Sequence, residues 1–262
     1  MARPRAADFE QHRDAILAMA ARLFADRGYA AGSIAELAAA CGVSKALLYH
    51  YYRDKEQLLF DIADRYIDSL LTIVDEVESE RLAPDAHLRR LIERFMQAYE
   101  HAAAYHRVLV QDVKYLSPAH RRRVVGKQGQ VVDAFARAIA PVAPQLSGDA
   151  LLKPVTMTLF GMINWTFTWL KESGPLTYAQ MAPVVADLFL RGVGVLQAPA
   201  VPPARRGAAG RPVRAAGGRR RADAAAALAP PPARRRVAPP PPPVPDHLPQ
   251  RASRRKPAKE TA

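Results

Sequence analysis

The sequence predicts an all-α fold, and three observations carry that prediction. Apolar residues recur at three- and four-residue spacing from about residue 10 to residue 197, with no run of strand-like alternation. Residues that cap helices stand where apolar stripes begin, at Ser33, Ser44 and Asp54. Breakers separate the later stripes, at Pro84, Ser117-Pro118, the 141–148 stretch and Gly174-Pro175. No internal repeat is visible.

Taken in order, Ile16, Leu17, Ala20, Leu23 and Phe24 give the first helix one apolar face. Arg27-Gly28-Tyr29 stops it, with Gly28 as the left-handed cap. Ser33-Ile34-Ala35-Glu36 reads as a capping box, in which the Ser33 hydroxyl accepts a helix-start N–H and Glu36 reaches back. Cys41-Gly42-Val43 is a tight turn. Ser44 then caps a helix from Lys45 to about Tyr52, and Asp54 caps a long one from Lys55 to about Arg81. Further helices are expected near 85–103, 105–115, 118–140, 149–171 and 177–197.

The 262 residues suffice for one large domain or two modest ones. Net charge is +13, but residues 198–262 hold 15 of the 38 Lys and Arg against only 3 of the 25 Asp and Glu, so the body of the chain is close to neutral. An argument from overall basicity to nucleic acid would therefore rest on the wrong segment. The same segment holds 15 of the 23 prolines and two Arg triplets. It lacks the apolar area to offset chain entropy, and a disordered polycation of polyproline character is expected.

The single cysteine, Cys41, cannot form an internal disulfide and is expected as a small buried residue in a reducing cytoplasm. The N-terminus has no apolar run of the secretory kind. The longest uncharged stretch, 154–170, is short of a bilayer span and interrupted by Thr and Asn, so a buried helix and no membrane partner are expected. No paired-carboxylate site, nucleophile motif, Gly-rich phosphate loop or Cys/His metal spacing is present, which argues against an enzyme and implies no cofactor. His101 and His106, five apart, do not share a helix face as a metal pair would.

Two short helices joined by a glycine-containing turn can lay the second in a DNA major groove. Gly42 permits the turn, and Leu48 and Tyr52, four apart, would face the core. Lys45, Leu47, Tyr49 and His50 would then face outward.

Across residues 10–60 the chain resembles the tetracycline-repressor (TetR) family of regulators. The resemblance is carried by Ile16-Leu17-x-x-Ala20-x-x-Leu23-Phe24, Gly28-Tyr29, Ser33-Ile34-x-x-Leu37-Ala38, Cys41-Gly42-Val43-Ser44-Lys45, Leu48-Tyr49-His50-Tyr51-Tyr52 and Lys55-Glu56-x-Leu58-Leu59. It implies that Ser33 touches phosphate and that Ser44, Lys45, Ala46 and Leu47 open the recognition helix. It further implies that Tyr49 and His50 reach bases or phosphates, that Tyr51 contacts phosphate or packs inward, and that Lys55 meets phosphate at a helix start. Two departures stand out: Gly32 where the family usually has Thr, and Ala46 where Gly or Pro is frequent.

The implied organisation is a flexible arm at 1–9, a three-helix helix-turn-helix domain at 10–56, a helical ligand-binding and dimerisation domain at 57–197, and the tail at 198–262. One module makes too few contacts for specific binding, so a homodimer on a palindromic double-stranded operator is expected. Val155, Leu159, Met162, Ile163, Phe167 and Leu170, with Val184, Val185, Leu188, Phe189, Val193 and Leu196, would build the dimer interface. Gly161, Gly192 and Gly194 would permit close helix approach.

Met96, Tyr99, His106, Val110, Tyr115, Phe135, Met157, Phe160, Asn164, Trp165 and Trp169 are candidates to line a ligand cavity, or simply to pack the core. The stretch 160–169 with Gly174-Pro175-Leu176 resembles the C-terminal domains of TetR-type regulators of fatty-acid, sterol and phenylacetate degradation. The resemblance implies a repressor released by a small-molecule effector, an acyl-CoA thioester. Arg121, Arg122, Arg123 and Lys127 would meet the CoA phosphates, or form the wet face of a helix. The alternative reading is an architectural DNA binder acting through the basic tail.

Overall fold

The computed structural model describes residues 3–146, 150–171 and 174–196. The basic tail and its expected disorder lie outside the described residues. Among those residues there are nine α-helices and no strand: α1 (Arg3–Arg27), α2 (Ile34–Ala40), α3 (Lys45–Tyr51), α4 (Lys55–Ser79), α5 (Pro84–His101), α6 (Ala103–Gln111), α7 (Pro118–Ile139), α8 (Leu152–Asn164) and α9 (Tyr178–Gly194).

The local signals place the N-terminal elements. Ser33 Oγ accepts the Glu36 N–H at 3.1 Å while Glu36 Oε2 accepts the Ser33 N–H at 2.9 Å, closing the box that starts α2. Ser44 Oγ accepts the Leu47 N–H at 3.1 Å to start α3, and Asp54 Oδ1 accepts the Gln57 N–H at 2.8 Å to start α4. Gly28 and Gly42 sit at φ +80° and +65°, the left-handed region that costs other residues about 1–2 kcal/mol. Gly32 is buried, and a Cβ there would lie 3.1 Å from the Phe24 ring, so packing against that ring favours glycine over the usual Thr.

Helices α1 to α3 close over Ile16, Leu17, Ala20, Phe24, Leu37, Cys41, Leu48 and Tyr52, all buried. Each large apolar side chain contributes about 1.5–3 kcal/mol by leaving water. The Tyr52 hydroxyl donates to the Arg13 carbonyl at 3.0 Å, so its polar end is satisfied. Burial pushes the Cys41 thiol up to about 11, which leaves it an unreactive packing group.

Three differences from the expected elements have local causes. Helix α1 begins at Arg3 rather than near residue 10; Pro4 stands in its first turn, where its missing N–H costs nothing. The expected helix 105–115 ends at Gln111 and is followed by a 3-10 turn, Val113–Tyr115. The expected helix 149–171 ends at Asn164 and tightens into a 3-10 turn, Trp165–Thr168. In that turn the Thr166 and Thr168 hydroxyls donate to the Ile163 and Trp165 carbonyls at 2.6 and 2.7 Å, competing with the helical ladder.

Helix α4 belongs to both halves. It packs on α1 at one end and against α5, α6 and α7 along its length, while α5 carries α9 and α7 carries α8. One apolar core runs without a gap from Ile16 to Val193. No helix among the described residues is long and apolar enough to cross a membrane.

Candidate DNA-reading surface and ligand cavity

The outer face of α3 is polar and accessible. Lys45, Ala46, Tyr49 and His50 are exposed, with Tyr49 at 52 %, while Leu48 behind them is fully buried. Leu47 is half-buried, and Ser33 and Ser44 are exposed beside the helix starts that they cap. Tyr51 packs inward instead: its ring lies 4.7 Å from that of Phe9 on α1, and His50 meets the same Phe9 edge-on at 5.9 Å. The two rings pin α3 against α1, the inward alternative that the sequence left open for Tyr51.

Lys55 is placed differently from the expectation. Its ammonium turns back onto the loop between α1 and α2, donating to the Tyr29 carbonyl and lying 4.2 Å from the centre of the Tyr29 ring. Burial lowers its pKa. Without DNA the charge satisfies loop carbonyls, a tertiary contact invisible to helix-position reasoning.

That loop is held from the other side too. The buried Asp112 carboxylate accepts the Tyr29 N–H, and Tyr115 packs on the Tyr29 ring with centroids 5.4 Å apart. Burial raises the Asp112 pKa to about 6 against the opposing pull of the N–H and the nearby ammonium groups of Lys114 and Lys55. Arg107 adds a bond to the Ala25 carbonyl at 3.3 Å. The corner at 112–115 therefore clasps the turn that leads into α2, while Arg107 on α6 holds the end of α1.

The same corner faces a cavity on its other side. The space is about 180 Å³, lies between α4 and α8 with an open rim, and includes Phe95, Tyr99, His106, Val110, Gln111, Val113, Lys114, Arg121, Gln128, Met157, Phe160 and Asn164 in its wall. Tyr99 and His106 stack with centroids 3.9 Å apart, and the Tyr99 hydroxyl donates to Asn164 Oδ1 at 2.7 Å. His106 is buried, and neither of its ring nitrogens has a hydrogen-bond partner of ordinary geometry. Burial pushes the imidazole down to about 4, opposed weakly by the Asn164 backbone carbonyl, so the ring is neutral near pH 7.

Of the expected lining residues, Tyr99, His106, Val110, Met157, Phe160 and Asn164 are thus brought together. Met96 is fully buried elsewhere in the core, and Phe135 stands behind the wall, against Phe95 and Phe160. Trp165 and Trp169 are 40 % and 49 % exposed and are not part of the cavity wall; the chain leaves the α-helix for the 3-10 turn at Trp165. Tyr115 sits outside on Tyr29.

The basic run on α7 divides by helix face. Arg121 lines the cavity. Arg122 is exposed and off it. Arg123 and Lys127 meet α4: Arg123 bonds Asp64 at 2.9 Å, and Lys127 bridges Asp64 and Asp68, each at 2.7 Å. Near the start of α7, Glu56 accepts the Ser117 N–H at 2.9 Å and touches His120 Nδ1 at 2.8 Å. These bonds hold the Glu56 pKa below the ordinary carboxylate value. Gln111, Lys114 and Gln128 are cavity residues that sequence reasoning missed. The spacing 121, 125, 128, 132 is the periodic signal that could have found the α7 face.

Comparison with known proteins agrees with this arrangement. The family model for bacterial regulatory proteins of the tetR family matches residues 16–62, and that for the tetracyclin repressor-like C-terminal domain matches residues 81–193. The chain is 25 % identical over 188 residues to the HTH-type transcriptional repressor KstR2 of Mycolicibacterium smegmatis, covering 69 % of this chain and 90 % of that protein. A TetR-family transcriptional regulator from Bordetella parapertussis is 32 % identical with a TM-score of 0.67, over 71 % of this chain and 98 % of that one. AibR, solved in complex with isovaleryl coenzyme A and operator DNA, is 29 % identical with a TM-score of 0.61, over 68 % and 97 %. This chain belongs to the TetR family of helix-turn-helix transcriptional regulators.

Proposed function

We propose that the protein is a homodimeric repressor that leaves a palindromic operator when an acyl-CoA thioester fills its cavity. The observation that carries this reading is the shared corner at 112–115, which borders the cavity on one side and grips the α1–α2 loop on the other. The likeness to AibR, solved with a CoA thioester and operator DNA, supports the class of effector.

DNA reading falls to Lys45, Ala46, Leu47, Tyr49 and His50 on α3, with Ser33 and Ser44 at the flanking helix starts meeting phosphate. A second copy of this chain supplies the second half-site reader. Its seat is the outer face of α9 and the chain beyond it, where Val184, Leu188, Val195 and Leu196 are exposed, Leu188 at 63 %. Gly161, Gly192 and Gly194 have open space over their Cα atoms within one chain, so any close approach that they allow is to that copy.

Coupling is a population shift: the effector must bind better to the conformer in which the two α3 helices no longer match the groove spacing. Fluorescence anisotropy with the protein's own promoter DNA tests the reading. Specific binding is expected, is lost when Lys45 and Tyr49 are both changed to Ala, and is reversed by a CoA thioester found in a thermal-shift panel that includes isovaleryl-CoA and phenylacetyl-CoA. A panel in which no thioester shifts melting or releases DNA would refute the effector class. A monomer by light scattering would refute the dimer.

A further inference from the structure

The cavity is small, and its polar groups are unevenly placed. Its roughly 180 Å³ is close to the ~150 Å³ of an apolar protein cavity that accepts benzene. One aromatic ring or a short branched chain matches that space, whereas a fused polycyclic skeleton or a long unbranched chain needs several times more. Ile67, Leu70, Phe95, Val131 and Phe160 make much of the wall apolar. Against it stands His106, buried, stacked flat on Tyr99, and without an ordinary hydrogen-bond partner at either nitrogen. A buried polar group left so is unfavourable unless a ligand atom completes it.

At the other end the charge is positive. Lys114 is exposed at the rim, and Arg121 reaches the cavity wall from the first turns of α7. Their neighbours Arg123 and Lys127 are tied to Asp64 and Asp68 on α4. Lys114 and Arg121 form no ion pair among the described residues; the Lys114 ammonium lies 5.2 Å from the centre of the Tyr115 ring and near Asp112, and would have to turn from that corner to meet an anionic ligand.

We propose that the effector's buried end is a short branched or single-ring acyl group, that His106 donates to its thioester oxygen, and that the anionic remainder leaves past Arg121 and Lys114. The inference rests on the thioester reading above and narrows it. The neutral ring has a single N–H, which the Asn164 backbone carbonyl engages only weakly and the thioester oxygen would take over, and the stack on Tyr99, itself bonded to Asn164, fixes the ring's direction. Arg121 supplies the planar fork that suits phosphate.

Titration calorimetry on the full chain with four probes decides it: CoA, isovaleryl-CoA, phenylacetyl-CoA and palmitoyl-CoA. Isovaleryl-CoA or phenylacetyl-CoA should bind at least about tenfold tighter than both CoA and palmitoyl-CoA. His106→Phe, which keeps the stack, should weaken that thioester about tenfold, and His106→Gln, which restores a donor, should recover part of the loss. Arg121→Ala should weaken all CoA probes together and flatten their salt dependence. Palmitoyl-CoA binding as tightly as the short thioesters, or His106→Phe leaving affinity within about twofold, would overturn the proposal while the thioester reading stood. Failure of every CoA probe to bind would overturn both. The chain-length comparison uses the unaltered protein and decides the size claim even if a His106 variant does not fold.

Discussion

Replacing His106 by Phe should reverse the way in which this protein responds to mild acid. The folded imidazole is held down to about 4 by burial, while the unfolded chain titrates near its ordinary 6.5. Between those values the unfolded state binds more protons than the folded one. Stability therefore falls as pH drops from about 6.5 towards 4 and is fully retained above that window. From pH 7.5 to pH 5 the loss from this one ring is about 2 kcal/mol. Asp112 works in the opposite sense. Its folded pKa is raised to about 6 against 3.8, so its burial disfavours the fold as pH rises through that interval. Over the same drop from pH 7.5 to pH 5 it returns about 1.4 kcal/mol. The two groups nearly cancel in the wild type. Urea unfolding followed by far-UV circular dichroism, at one fixed protein concentration and at pH 7.5 and 5.0, separates them. The stability of His106→Phe relative to wild type should improve by about 2 kcal/mol on acidification, and that of Asp112→Asn should worsen by about 1.4 kcal/mol. If the gap between wild type and His106→Phe is the same at both pH values, His106 is hydrated in solution and its burial at the cavity wall is wrong.

Three further outcomes follow from the geometry. Ser44→Ala removes the acceptor of the Leu47 N–H and should cost about 1 kcal/mol in unfolding experiments, with operator affinity falling as α3 frays. Lys45→Ala should lower the slope of log affinity against log salt by about 0.9 if that side chain meets one phosphate, and an unchanged slope would remove Lys45 from the backbone contacts. Glu56→Ala leaves the Ser117 N–H at the start of α7 without its acceptor and should destabilise by about 1.5 kcal/mol; because the Glu56 pKa is lowered, the difference from wild type should shrink as pH falls through the carboxylate range.

What the sequence revealed and what it concealed divide by range. Caps at Ser33, Ser44 and Asp54 and the turn at Gly42 depend on atoms three or four residues away, so residue type and spacing suffice to read them. The burial of Leu48 and Tyr52 beneath an outward Tyr49 follows from helix periodicity alone. The contact of Lys55 with the Tyr29 and Ala30 carbonyls is not legible locally, because those partners lie about 25 residues earlier in the chain. Trp165 and Trp169 were misplaced because periodicity assumes a continuing α-helix, whereas the threonine hydroxyls help to tighten the chain after Asn164. Nothing local distinguishes Arg121 from Arg122 and Arg123. Their division is set by where α4 presents Asp64 and Asp68, and three adjacent arginines read only as a run.

Residues 112–115 divide their side chains between two sites: the outer pair, Asp112 and Tyr115, meet Tyr29, and the inner pair, Val113 and Lys114, border the cavity. No residue of that segment lies on α3. On the proposed mechanism, substitutions there would alter the dose at which a gene is switched while leaving the promoters recognised unchanged. Sensitivity and address could then drift independently during divergence, through a stretch shorter than one turn of DNA is long in base pairs.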